Sequence, residues 1–148
     1  MNNILLDTNI LIYILQGNSS VKEILDDKNW FISFISEMEL QMKPGLSSAE
    51  AKAVQSILKE CIIVEMNGSI KSKAISNALQ YKLKLADSII LATSQVNGFS
   101  LITGDSVFKK IAQETNDVLF IVPWNPLSIY FVKVSDGDKQ MTQKLVME

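Results

Sequence analysis

The chain has 148 residues with 14 basic and 16 acidic side chains, a formal charge of -2. That is about one domain at the usual ~100–200 residues, without the wholly basic surface of a dedicated nucleic-acid binder. All the cations are lysines, there is no Arg and no His, and Cys61 is the single cysteine; this excludes Ser-His-Asp and Cys-His catalysis, zinc fingers and HExxH proteases, an arginine finger, and an intramolecular disulfide or CxxC redox pair.

Asn3–Leu6 is a short apolar run that stops at Asp7, as a buried parallel strand does. Residues 8–16 place Ile10, Leu11, Ile14 and Leu15 at helical spacing, and Gly17-Asn18 stops them. A short helix is expected over 20–27 and a strand over 29–33. A helix follows over 36–42, ended by Pro44-Gly45. Ser47 with Glu50 makes a capping box for a helix running to Lys59. Cys61–Met66 predicts a second buried strand, and Asn67-Gly68 a turn into a helix over 69–81. A mostly apolar helix over 86–96 ends at Asn97-Gly98. Residues 99–103 predict a strand, 106–113 a helix and 119–122 a strand, after which Pro123 and Pro126 break regular structure.

Short apolar strands alternating with helices imply an α/β fold with a mostly parallel sheet of about five strands, covered on both faces. Residues 1–132 are taken as one domain, and 133–148 as a polar tail that frays or forms an exposed helix. No apolar run reaches the ~18 residues of a membrane span. No signal peptide is evident, and one free Cys suits a reducing compartment. A cytoplasmic protein without membrane contact is expected.

Ligands of open α/β sheets bind at the carboxyl ends of the parallel strands. Asp7 ends the first strand, and Asp105 follows the strand over 99–103. Asp87 opens the helix over 86–96, and Glu39 lies in the helix after the second strand. Asp87 and Glu39 sit among apolar neighbours, where an unpaired carboxylate is costly. Acids gathered at one edge also repel and raise one another's pKa. Mg²⁺ or Mn²⁺, with its oxygen-rich shell, resolves both problems. Each acid also has an ordinary reading. Asp7 and Asp105 can be helix caps, Asp87 a first-turn acid favoured by the helix dipole, and Glu39 a solvated residue. Met38 and Met42 are expected in the core or at a dimer contact, and Phe108 in the core.

Four segments resemble the motifs of PIN domains, in order: Leu5-Leu6-Asp7-Thr8-Asn9-Ile10-Leu11-Ile12, Ile32-Ser33-Phe34-Ile35-Ser36-Glu37-Met38-Glu39-Leu40, Leu85-Ala86-Asp87-Ser88-Ile89-Ile90-Leu91-Ala92-Thr93 and Leu101-Ile102-Thr103-Gly104-Asp105-Ser106-Val107-Phe108. The pattern, over about residues 4–122, is similar to VapC-type toxins. The resemblance implies a three-layer α/β/α sandwich and metal-dependent endonucleolytic cleavage of RNA. It implies Asp7, Glu39, Asp87 and Asp105 as catalytic and metal-binding residues, with Mg²⁺ or Mn²⁺ as cofactor. Thr8, Asn9 and Thr103 would be supporting polar groups. A cognate antitoxin and a homodimer are the implied partners. Lys82, Lys84, Lys109 and Lys110 flank the third and fourth motifs and are candidates for RNA phosphate, against a plain reading as solvated lysines. Two positions depart from the pattern, Ala86 where Pro is common and Gly104 where many members have Arg. They keep open an inactive PIN-fold interaction module. A phosphoacceptor receiver domain is a further rival, disfavoured because Asp7 stands alone after its strand and the last strand runs into Val122-Pro123-Trp124. A haloacid-dehalogenase-type phosphatase would need an acid where Asn9 stands.

Overall fold

Every second residue of a strand faces the same way, and in β1 (Asn3–Leu6) both faces are apolar. Ile4 and Leu6 enter one core, Leu5 the other, and all three are fully buried. The computed structural model describes residues 3–114, 118–121, 128–134 and 140–146. Its elements after β1 are α1 (Thr8–Leu15), α2 (Ser19–Leu25), β2 (Asn29–Ser33), α3 (Phe34–Met42), α4 (Ser48–Lys59), β3 (Ile62–Val64), α5 (Gly68–Tyr81), α6 (Leu85–Asn97), β4 (Ser100–Thr103), a 3-10 turn (Ser106–Phe108), α7 (Lys109–Glu114), β5 (Val118–Ile121), β6 (Ser128–Val134) and β7 (Gln140–Val146). The expected break at Pro123 and Pro126 lies outside the described residues.

The sheet runs β3-β2-β1-β4-β5-β6-β7. The first five strands in this order pair in parallel. These are the five strands predicted from the apolar runs. Helices α1, α2 and α4 cover one face, where Ile10, Leu11, Val21, Leu25, Val54 and Ile57 pack on Ile4, Leu6, Ile32 and Ile102. On the other face Ile90 and Leu91 of α6 and Ile111 of α7 pack on Leu5 and Leu101, with Phe108 fully buried. The result is the expected three-layer α/β/α sandwich. A receiver domain would show strand order 2-1-3-4-5, so that rival is excluded.

The tail departs from expectation. The end of β6 and all of β7 fall in the stretch expected to fray or turn helical. They form an antiparallel hairpin that extends the sheet beyond β5. Residues 128–134 (SIYFVKV) are rich in β-branched and aromatic types, and their unpaired edge is satisfied by the backbone of 140–146 rather than by local periodicity.

Caps set the helix limits. Ser47 Oγ accepts from Glu50 N at 3.1 Å at the start of α4, and Asn67 Oδ1 accepts from Ile70 N at 2.9 Å at the start of α5. Gly98 takes the left-handed conformation, φ 67°, that ends α6. Replacing Ser47 by Ala is expected to cost about 1 kcal/mol, the usual worth of such a cap. Urea denaturation should show the midpoint falling with an unchanged m-value, and Ser47→Asp should keep the wild-type midpoint.

Candidate active site

The chain leaves β1 toward β2 and β3 on one side and returns as β4 on the other. The strand order therefore reverses between β1 and β4. A crevice opens at the carboxyl ends of the strands at such a point. Asp7 follows β1 and Asp105 follows β4, so both stand at its mouth. The parallel pairing continues one residue past the strand, with Asp7 N donating to Ile102 O at 2.9 Å.

Asp7 is 4% exposed. Its Oδ1 accepts from Thr8 N at 2.7 Å, so it does cap α1. Its Oδ2 accepts from the Thr103 hydroxyl at 2.6 Å. Thr103, fully buried, also accepts from Asp105 N through the same oxygen at 3.1 Å. One hydroxyl thus ties the ends of β1 and β4 together. Asp105 in turn caps the 3-10 turn, its Oδ1 accepting from Val107 N at 3.0 Å. Both acids fill the ordinary capping role and the site position at once.

Burial is the main force on Asp7. It pushes the carboxyl up from 3.8 to about 6, against the two hydrogen bonds that favour the charged form, and the charges of Asp87 and Asp105 raise it further. Asp87, half-buried in the first turn of α6, is also raised, by burial first and then by Asp105 and Glu39, while Lys84 opposes. The four predicted acids therefore share one electrostatic neighbourhood. Among the described residues the two ion pairs join Lys22 to Glu60 and Lys28 to Asp27, so none of the four acids has a cationic partner in contact.

Glu39 corrects one expectation. It is exposed rather than set among apolar groups, because Leu40 takes the inward position on α3. Thr8 Oγ1 stands 3.1 Å from Glu39 Oε1 and 2.9 Å from Ser36 Oγ. A carboxylate only accepts, so Thr8 donates to Glu39 and accepts from Ser36. Ser36, fully buried, lies within the second motif and joins the site through this contact. Its signal is the three-residue spacing to Glu39 on one helix face. Thr8, Asn9 and Glu39 line a shallow groove of about 460 Å³ with Leu40, Lys43 and Pro44. Met38 and Met42 are exposed, at 47% and 71%, and are not core.

The predicted lysines separate. Lys84 lies near enough to Asp87 to stabilise its charge. Lys82 and Lys110 line one cavity between α5 and α7, and Lys109 is exposed outside it. Ala86 occupies the first turn of α6, where Pro is tolerated but not required.

Among the described residues the crevice offers carboxylate and hydroxyl oxygens, and its central carboxylate, Asp7, is buried without an ion-pair partner. That donor set fits a hard divalent ion. Among the described residues no three acids stand close enough to enclose a metal by themselves. The arrangement therefore suits an ion bound through one or two carboxylates that keeps water in its shell, as Mg²⁺ does.

Residues 4–114 match the PIN domain family. Among solved structures, the chain is similar to one in a toxin-antitoxin complex from Klebsiella pneumoniae, at 32% identity and TM-score 0.65 over 73% of this chain and 92% of that one. It is also similar to FitAcB from Neisseria gonorrhoeae, at 23% identity and TM-score 0.59 over 83% and 97%. VapBC2 from Rickettsia felis, bound to a DNA fragment from its promoter, matches at 17% identity and TM-score 0.59 over 74% and 92%. At these two lower identities the likeness is one of fold. No curated protein matches the chain.

Proposed function

The chain belongs to the PIN-domain family, and from that membership we propose that it is a metal-dependent endoribonuclease and the toxin of a VapBC-type toxin–antitoxin pair. The observation that carries the activity is Asp7, a buried carboxylate at the β1–β4 crevice, raised to about 6 by burial and by Asp87 and Asp105. In this reading Asp7 would hold Mg²⁺ or Mn²⁺ with one neighbouring acid, and the rest of Asp87, Asp105 and Glu39 would reach the ion through its water. The bound ion would activate water and neutralise charge on the scissile phosphate. Thr103 keeps Asp7 and Asp105 in register through one hydroxyl. The Thr8–Ser36 pair anchors one oxygen of Glu39, leaving its carboxylate at the groove to take a proton from the attacking water. Lys84, together with Lys82, Lys109 and Lys110, offers charge to the RNA backbone, a role that the missing arginines leave to lysine alone.

The purified protein should cut total RNA in Mg²⁺ or Mn²⁺, stop on addition of EDTA, and resume on adding excess metal. EDTA-resistant cleavage would overturn the reading. The intact acid set favours this activity over an inactive interaction module.

The toxin assignment draws support from the 32% identical chain, itself part of a toxin-antitoxin complex. An antitoxin suits the groove at Thr8, Asn9 and Glu39, which continues through Ile12, Leu40 and Lys43 into an apolar cleft lined by Leu15 and Leu46. A homodimer suits the exposed Ile75, Leu79 and Leu85. The proposed site of action is the cytoplasm, where RNA is found; among the described residues no helix is long and apolar enough to cross a membrane.

A further inference from the structure

A cavity of about 270 Å³ lies between the C-terminal end of α5 and α7. That is near the lower end of the ~300–1,000 Å³ usual for small-molecule sites. Tyr81 and Ile111 give it an aromatic and an apolar wall, and Lys82 and Lys110 bring two cations to it. Neither lysine is in an ion pair among the described residues. Lys82 is the one described non-glycine residue with positive φ, at 54°. It caps α5 in the left-handed conformation, where helices ordinarily place Gly. A lysine there bears backbone strain and keeps a cation at the cavity, the kind of outlier found at functional sites.

The chain links the cavity's lining to two of the acids. Lys82 comes five residues before Asp87 in the chain. Val107, on the opposite wall, donates its N–H to Asp105 Oδ1. Gln80 and Glu114 complete the lining. A carboxylate repels phosphate, so the lining is mixed: cations for a phosphate, a flat wall for a ring, and an amide and a carboxylate for polar edges. Single-stranded RNA is recognised in this way, by stacking on aromatic rings and by hydrogen bonds to the Watson–Crick edge. A carboxylate accepts only. Among the bases, guanine offers it two neighbouring N–H donors.

We propose that this cavity is a nucleotide subsite that seats a guanosine next to the cleaved bond, with its phosphate on Lys82 and Lys110, its ring against Tyr81 and its edge on Glu114. The assignment of a cleaved bond rests on the ribonuclease reading. Titration of the full chain with GMP, AMP, CMP and UMP, followed by backbone amide NMR without metal, tests it. GMP should shift residues 80–82 and 107–114 and bind about tenfold or more tighter than UMP, the discrimination of one good bidentate contact. Lys82→Ala with Lys110→Ala should weaken all four about tenfold, while Glu114→Gln should level the four affinities and keep phosphate binding. In parallel, cut sites mapped in a random RNA pool should show G enriched at one position beside the cut, and Glu114→Gln should remove that enrichment. Equal affinities for the four nucleotides, no shifts at these residues, or a G preference that survives Glu114→Gln would overturn the proposal. Metal-dependent cleavage without the titration removes the subsite and leaves the ribonuclease. GMP binding in a protein that cuts no RNA removes the ribonuclease reading, and with it the subsite's place beside a cleaved bond.

Discussion

Asp7→Asn is expected to make the metal-free protein more stable and to remove its activity. Asp7 ionises at about 6 in the folded chain against an ordinary 3.8, so the folded state holds the proton more tightly than the unfolded one. The penalty is absent below about pH 4, grows between about 4 and 6, and is complete above. A shift of about two units at 1.36 kcal/mol each puts it at up to about 3 kcal/mol at neutral pH. Asn carries no charge to bury, and its side-chain oxygen can still cap Thr8 N. At pH 7.5 in EDTA the variant should therefore melt several degrees higher, at roughly 2–4 °C per kcal/mol for a chain of this size. Below pH 4 the two should converge. Mg²⁺ should raise the wild-type melting point by mass action and leave the variant's unchanged. The loss of cleavage should exceed the ~10–100-fold that removing an outer partner of a metal ligand costs. A variant no more stable than wild type at pH 7.5 would contradict the burial argument, and one that cleaves normally would contradict the role of Asp7.

Thr103→Val keeps the shape of the side chain and deletes the hydroxyl that joins Asp7 to Asp105. Asp7 Oδ2 loses a 2.6 Å donor and Asp105 N loses its acceptor, in a position that is fully buried. Leaving such groups unpaired costs about 1–3 kcal/mol. The donor stabilises the charged form of Asp7, so its removal raises that pKa further. The stability loss should accordingly be larger at pH 7.5 than at pH 4, as urea denaturation at the two values will show. Cleavage should fall by about 10–100-fold, the scale for a residue that orients a metal ligand, and the acid limb of the pH–rate profile should move to higher pH. Thr103→Ser should restore the rate, because the hydroxyl rather than the methyl is at work. Wild-type rates in the Val variant would mean that Thr103 orients nothing.

The parallel sheet is legible in the sequence because strands buried on both faces are uninterrupted apolar runs, such as Ile4-Leu5-Leu6 and Leu101-Ile102. The acids are legible because each follows a strand or lies in a helix near one, and the sheet reversal between β1 and β4 does bring Asp7 and Asp105 to one crevice. The surroundings of Glu39 differ from those its apolar neighbours in sequence imply. Leu40 points inward, and one residue along a helix turns the next side chain about 100° away. The Lys82–Lys110 cavity is written in tertiary juxtaposition, which no local pattern carries. The same holds for β7, whose conformation comes from a neighbouring edge rather than from its own residues. Met38 and Met42 have the apolar character of core residues, but α3 turns them outward.

The bond from Thr103 to Asp7 spans 96 residues of chain. Contacts of such long range close late, because the entropy of bringing the ends together comes before any gain from pairing. On a ribosome, a chain that has emerged only as far as α6 already displays Asp7, Glu39 and Asp87, yet it has neither β4 nor Thr103 to hold them. The proposed nuclease would thus be harmless for most of its own synthesis. Its competence would begin when the fourth strand inserts beside the first, which gives the proposed antitoxin time to be present.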